Sequence, residues 1–329
     1  MPVLVTGSIA VDQLMRFPGR FAEHFVAHAL DQVSLSFLVD DMVVHRGGAG
    51  ANIAYGMGLL GMTPTLVGAA GTDFDDYRLW LQRHGVDCAS VRVSTTAHTA
   101  RFVCTTDDDH NQIASFYPGA MGEARLVDLL AVADRVGVPD LVVIAPDDPA
   151  AMRRHTHVCR RNGWRFAADP SQQLVRLSGA EIRQLIIGAS YLLTNDYERQ
   201  LLQTRTGLST AEILDIVDLH VVTRGADGVR ILHRDGHLDV PAAVVPDPAD
   251  PTGGGDAFRA GFFTALSWGL GIHQAAVAGC EVAALAVAHH GSQSYQLPDG
   301  FAEHLRRQPA PTPGTPGQAD PGPNRASGS

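Results

Sequence analysis

Short apolar runs alternate along this chain with longer stretches that follow the helical period. The runs Leu4 to Thr6, Leu141 to Ile144, Arg165 to Ala168, Tyr191 to Thr194 and His220 to Thr223 each end in a polar or glycine-containing turn. Strands alternating with helices predict βαβ units, hence a doubly wound α/β fold: a mostly parallel sheet flanked by helices, with ligands bound beyond the carboxyl ends of its strands. Asp12, Asp148, Asp169, Asn195 and Arg224 fall just after such runs. They are therefore expected to converge along one edge.

Two segments break the rhythm. Val33 to Val44 and His98 to Tyr117, the latter with an Asp107-Asp108-Asp109 turn, lack the helix period and carry Phe37, Phe102, Phe116 and Tyr117. They read as extended strands or hairpins, forming a small β lid drawn from about 13–46 and 98–118. From Pro309 to Ser329 the chain is rich in Pro, Gly, Ala and Thr, with no aromatic residue and no aliphatic side chain larger than Ala. Such a stretch cannot offset its chain entropy by burial. One domain over 1–308 and a disordered Pro/Gly-rich tail over 309–329 are expected.

Composition narrows the class. The 329 residues are 45% hydrophobic, enough for a sizeable core. A formal net charge of −10 with scattered basic residues argues against a nucleic-acid surface, which needs clustered Lys and Arg. Cys88, Cys104, Cys159 and Cys280 lie far apart and form no CxxC pair, so they read as buried thiols. No basic region followed by an apolar stretch opens the sequence, and no run of about 18 apolar residues follows. A cytoplasmic enzyme acting on small molecules, with no nucleic-acid or membrane partner, is expected.

The strongest chemical signal is Asp250-Pro251-Thr252-Gly253-Gly254-Gly255-Asp256, leading directly into Ala257 to Leu266, which reads as a tightly packed helix. Three glycines at a helix N-terminus turn free N–H groups toward one point, and the helix dipole adds positive charge there. Such a loop binds an anion. Asp256 is placed to orient an attacking hydroxyl and take its proton, with a pKa that the helix N-terminus is expected to keep from rising. The plainer reading is an N-cap turn in which Asp256 satisfies backbone amides.

Three weaker signals precede it. Gly47-Gly48-Ala49-Gly50-Ala51-Asn52 enters a helix rich in small residues, which fits a substrate approaching backbone or a closely packed helix. Asn195-Asp196-Tyr197-Glu198 fits either a phosphate and metal site or an ordinary capping box. Thr223-Arg224-Gly225-Ala226-Asp227-Gly228 fits a nucleotide-binding turn or a β-hairpin. Neither a Walker A loop nor a GxGxxG after the first strand is found.

Taken in order from Gly47 to Asp256, these four motifs resemble those of the ribokinase (PfkB) family of carbohydrate kinases, whose C-terminal signature is D-T-x-G-A-G-D. Pro251 replaces Thr and Gly254 replaces Ala, which retains the anion hole and both carboxylates. The resemblance implies a ribokinase-like fold, ATP as co-substrate and magnesium (Mg2+). Asp256 is then the catalytic base, with Gly253, Gly254 and Gly255 as the anion hole. Asn195 and Thr223, Arg224, Gly225, Ala226, Asp227 and Gly228 lie at the nucleotide, and Glu198 positions the metal through water. Whether a monovalent cation such as potassium (K+) assists is left open.

Within the family, the stretches around Thr6 to Asp12, Val33 to Asp41, His98 to Phe102 and Asp169 to Leu174 are similar to the actinomycete-type adenosine kinases. By that resemblance Ser8, Asp12, Ser36, Gly48, Asn52, Phe102, Phe116, Gln172 and Gln173 contact adenosine, and two subunits pair through their lid strands. Phe102 and Phe116 offer flat apolar faces to a purine and the glutamines offer amides. The expected reaction is transfer of the ATP γ-phosphoryl group to the adenosine 5′-hydroxyl, giving AMP and ADP. The competing readings are a ribokinase-like or fructokinase-like sugar kinase, and a catalytically silent nucleoside-binding protein.

Overall fold

The computed structural model describes residues 2–25 and 34–307. The 309–329 tail and the part of the lid between 26 and 33 lie outside the described residues.

The first strand, β1 (Val3–Thr6), is buried along its whole length, as are β4 (Thr65–Ala70) and β8 (Leu141–Ile144). Near-continuous apolar runs of this kind suit strands covered on both faces. They belong to a nine-stranded sheet that also holds β5 (Val91–Val93), β9 (Phe166–Ala168), β10 (Ala189–Asn195), β11 (Val217–Thr223), β12 (Val229–His233) and β13 (Gly236–Val240). Its order is β13-β12-β11-β10-β9-β8-β1-β4-β5, parallel from β5 to β11 and antiparallel from β11 to β13.

Alternation along each strand feeds two cores. Val3, Val5, Val143 and Leu193 pack with the helices α2 (Ala49–Leu59), α3 (Asp75–Arg83), α9 (Gly254–Ser267) and α10 (Ile272–Val287). Leu4, Val142, Ile144 and Leu192 pack with α4 (Leu129–Val136), α5 (Pro149–Arg161), α6 (Gly179–Ile186), α7 (Asp196–Thr206) and α8 (Thr210–Leu214) on the other face. The doubly wound expectation is met. The strand order reverses between β1 and β8, the position at which such sheets bind ligands.

The lid is a separate four-stranded sheet of order β3-β2-β6-β7, made of β2 (Ala10–Arg16), β3 (Asp41–Gly47), β6 (Ala100–Thr106) and β7 (Gln112–Tyr117). It begins earlier than the sequence predicts, because β2 starts at Ala10 and takes in Asp12. Residues 34–40 carry no strand. Asp107 shapes the turn between β6 and β7 by accepting the backbone N–H groups of Phe21, Asp109 and Asn111. Among the described residues, no helix is long and apolar enough to cross a membrane.

Candidate active site

Two cavities lie side by side at the switch point, and the N-terminus of α9 divides them. The first, of about 500 Å3, is lined by Ser8 after β1, Pro146 after β8, Asp12 and Phe102 from the lid, Asn52 from α2, and Thr252, Gly253 and Asp256. The second, of about 540 Å3, is lined by Thr223, Gly225, Ala226 and Gly228 together with Pro251, Gly254, Gly255 and Phe258. Thr252, Gly253 and Asp256 thus face one cavity, while Pro251, Gly254 and Gly255 face the other. A single glycine-rich turn touches both.

Backbone geometry explains the glycines. Gly253 caps α9 at φ 81°, and a Cβ there would lie 2.7 Å from that of Ser292. Gly48 caps α2 at φ 93°, where a Cβ would meet the backbone of Ala10 and Ser8 at 2.6 Å. Side chains are excluded at both positions by conformation and by space. At the start of α9 the Gly254 N–H bonds back to Pro251, whereas among the described residues those of Gly255 and Asp256 have no backbone partner. Such first-turn amides point toward whatever anion occupies the divide.

Asp256 accepts a 2.8 Å hydrogen bond from Asn52 Nδ2. Burial pushes its carboxyl above the usual range, against the neighbouring Arg259 and the Asn52 donor. The expectation that the helix N-terminus keeps this pKa from rising is corrected: the desolvation of this largely enclosed carboxyl at the α2–α9 contact outweighs the dipole. Asp12, on the lid side, is also raised, to about 6, by burial and then by the charge of Asp256. In the lid sheet Asp12 stands opposite both His45 and Phe102, and Phe102 stands opposite Phe116. A carboxylate and an apolar wall therefore share the face that closes the first cavity.

Of the residues expected at the acceptor, Ser8, Asp12, Gly48, Asn52, Phe102, Phe116, Gln172 and Gln173 all line this cavity. Gln173 is buried, and its Oε1 has no partner among the described residues. Ser36 is exposed in the irregular segment before β3 and is not among the lining residues. Ser8 Oγ accepts the Ala49 N–H at 3.0 Å, tying β1 to the start of α2. Met121, Arg176 and Ser292 line the cavity as well and carry no sequence signal of their own.

On the nucleotide side the outcome is mixed. Thr223, Gly225, Ala226 and Gly228 line the second cavity; Asn195, Arg224 and Asp227 do not. Arg224 is tied to Asp239 at 3.2 Å, and the same segment forms the β11–β12 hairpin turn. Asn195 and Glu198 form a reciprocal capping box at α7, with both backbone-to-side-chain bonds at 2.8 Å. The second carboxylate oxygen of Glu198 accepts from Ser171, 3.2 Å away. No group of three or more His, Cys, Asp or Glu able to hold a metal occurs among the described residues.

The expected convergence of five strand-end residues holds in part: Asp12 lines the first cavity and Asp169 lies within electrostatic reach of Asp256, whereas Asp148, Asn195 and Arg224 are engaged elsewhere. Asp12 lies within β2, not after β1. Asp148 caps α5 and pairs with Arg125 at 2.7 Å. Asp169 is consumed by Arg259, which grips both its carboxylate oxygens, one at 2.7 Å, and reaches the Gly255 carbonyl at 3.0 Å. This buried pair buttresses the α9 turn from behind. Burial pushes Asp169 up while the guanidinium draws it back, and the carboxylate in turn holds Arg259 firmly charged.

A parallel sheet with its switch-point cleft split by a glycine-capped helix, under a small β lid, defines the ribokinase-like class of α/β kinases. The family model of the pfkB family carbohydrate kinases matches residues 6–299, and the chain belongs to that family. Among curated relatives, a nucleoside kinase of Methanothermobacter thermautotrophicus is 30% identical over 257 residues, covering 77% of this chain and 82% of that protein. Among solved structures, the nucleoside kinase of Burkholderia thailandensis in complex with inosine is 36% identical with a TM-score of 0.80, covering 92% of this chain and 96% of that one. The Methanocaldococcus jannaschii nucleoside kinase, 24% identical, shares the fold with a TM-score of 0.81, over 93% of this chain and 98% of its own.

Proposed function

We propose that this kinase transfers the γ-phosphoryl group of ATP to the 5′-hydroxyl of a purine nucleoside, with adenosine the acceptor named by the sequence resemblance. The observation that carries this reading is the Gly253 to Asp256 turn, which faces both cavities at once. A nucleotide in the second cavity brings its terminal phosphate to the first-turn amides, and an acceptor in the first meets it across Asp256. The family relatives support the acceptor class, since several are nucleoside kinases and one is known with inosine.

In this scheme Asp12 takes the vicinal ribose hydroxyls in a bidentate hydrogen bond. Phe102, Phe116 and Met121 give the base an apolar wall, and the amides of Gln172 and Gln173 meet its ring nitrogens and exocyclic group. Asp256 orients the 5′-hydroxyl and accepts its proton; a carboxyl raised toward neutrality does so more readily than an ordinary one. The Gly255 and Asp256 amides stabilise charge on the transferring group. Magnesium, when bound, would neutralise the phosphates. Glu198, whose carboxylate oxygens accept the Asn195 N–H and the Ser171 hydroxyl, would hold such an ion only through water.

We further propose that two copies pair through their lids. Strands β3 and β7 are open edges, and Leu14, Met42, Val43, Val44, Ile113 and Tyr117 are exposed on the lid. Sedimentation is expected to show a dimer at micromolar concentration; a monomer removes this part of the reading.

The acceptor is tested by incubating the protein and MgATP with adenosine, inosine, ribose or fructose and identifying the product directly. A nucleoside 5′-monophosphate formed in step with ADP is expected. A sugar phosphate alone would transfer the same site to a sugar kinase. Nucleoside binding without ADP would leave only a binding protein.

A further inference from the structure

A chain of side-chain hydrogen bonds runs from the surface of α3 to Asp256, and its direction is fixed at one end. The Trp80 indole N–H donates to Gln293 Oε1 at 3.1 Å. Gln293 Nε2 donates to Asn52 Oδ1 at 2.9 Å and to the Tyr77 hydroxyl oxygen at 2.5 Å. Tyr77 passes its own proton to the Gly47 carbonyl at 2.8 Å. Asn52 completes the chain by donating Nδ2–H to Asp256. Asn52, Tyr77 and Gln293 are all buried, and the bonds named are made within the protein.

An amide is nearly symmetric in shape, so packing alone does not decide which end faces which way; the types of its partners do. An indole N–H only donates. Trp80, together with the Tyr77 hydroxyl oxygen whose proton goes to Gly47, therefore fixes Gln293 with its oxygen outward and its NH2 toward Asn52. That NH2 in turn holds Asn52 with its oxygen away from Asp256 and its own NH2 toward it. We propose that Gln293, oriented by Trp80, is a positioning residue for the phosphoryl-transfer base: it ensures that a donor, not an oxygen, faces Asp256. The proposal rests on the reading of Asp256 given above.

The consequence is electrostatic. A donor favours the ionised, proton-accepting form of Asp256, whereas an amide oxygen in the same place favours the neutral form. The other groups facing this carboxyl are Asp12 from β2, Arg259 on α9, Glu198 on α7, Asp169 after β9 and Tyr295. None belongs to the Trp80–Gln293 chain, so all remain when that chain is altered.

Two variants separate the proposal from a merely structural role. Gln293→Glu, when ionised, keeps the shape but offers no donor and draws the Asn52 NH2 toward itself and the Asn52 oxygen toward Asp256; its added charge raises Asp256 as well, so the uncharged Gln293→Met is measured beside it. Trp80→Phe keeps an aromatic ring beside Tyr55 and removes the indole N–H, leaving the Tyr77 hydroxyl oxygen as the one group on this side that still calls for the Gln293 NH2. The experiment is a carbon-13 NMR titration of the Asp256 carboxyl, assigned by its loss in Asp256→Asn, beside kcat/KM measured between about pH 5 and 9 with adenosine and inosine.

Both variants are expected to titrate Asp256 at higher pH and to lose about tenfold in kcat/KM on the acid side. The alkaline plateau and the KM for ATP should stay near wild type, and Gln293→Glu should show the larger effect. An unmoved carboxyl titration, or a loss equal at every pH, would overturn the proposal. Should Gln293→Glu fail to fold, Trp80→Phe combined with Tyr77→Phe, which removes both groups that orient Gln293, decides. A carboxyl that moves while no acid limb follows it upholds the positioning role and instead removes Asp256 from the base role.

Discussion

Asn52 Nδ2 lies 2.8 Å from Asp256 Oδ2, which joins two glycine-capped helices 204 residues apart in the chain at the point where the cleft divides. The contact places a donor from α2 against the one carboxylate on α9 that faces the acceptor cavity. Both helices begin at glycines with positive φ, so the two ends can approach without side chains between them. The electrostatics of the site depend on how few groups share this space.

Asp12 and Asp256 form a coupled pair, and acceptor binding should record it. Asp12 is raised to about 6, so below that pH it is protonated and offers the ribose hydroxyls a weaker acceptor. The KM for the nucleoside is expected to rise as pH falls through about 6. Asp12→Asn should raise that KM above about pH 6 and flatten its dependence. If Asp12→Asn retains the wild-type pH dependence, the titration belongs to another group.

The Arg259–Asp169 pair is nearly inaccessible, with side chains 7% and 1% exposed. Removing one partner strands a charge in the interior, so Arg259→Leu should cost about 3–5 kcal/mol in urea unfolding. The double variant with Asp169→Leu should recover most of that loss. A double variant as unstable as the single one would show that the pair acts through shape and not through charge.

Asp147 behaves differently. It is buried at the start of the segment after β8, its Oδ2 has no partner among the described residues, and burial raises its carboxyl to about 8. Between the ordinary carboxylate range and about 8 the native protein holds a proton that the unfolded chain releases, so stability falls as pH rises through this window. Asp147→Asn cannot ionise and should melt higher than wild type at pH near 8, with the gap closing toward pH near 4. A gap that is constant with pH would contradict the assignment.

Much of the fold was legible because its parallel strands are buried on both faces and so read as unbroken apolar runs, as in β1 and β8. The glycine-rich turn was legible because its residues are contiguous. The chain from Trp80 through Gln293 to Asp256 was not: Gln293 lies 213 residues from Trp80 and 241 from Asn52, and nothing in its local sequence distinguishes it. The Arg259–Asp169 pair was hidden in the same way, across 90 residues. Asp148 and Asn195 were read toward the cleft because strand ends point there, yet each is also the residue type that caps the following helix, and capping claims them. The upward shift of Asp256 was missed because a helix N-terminus is visible in sequence, whereas the burial that outweighs it is a property of the assembled site.

The most direct test of the account is single-turnover phosphoryl transfer by Asp256→Asn, with ATP and ADP affinities measured on the same preparation. Nucleotide affinity near wild type and transfer slowed by about 10²–10⁴-fold are predicted, since the variant keeps the turn and its amides but cannot accept a proton. Transfer at near-normal rate would contradict the role of Asp256 as base.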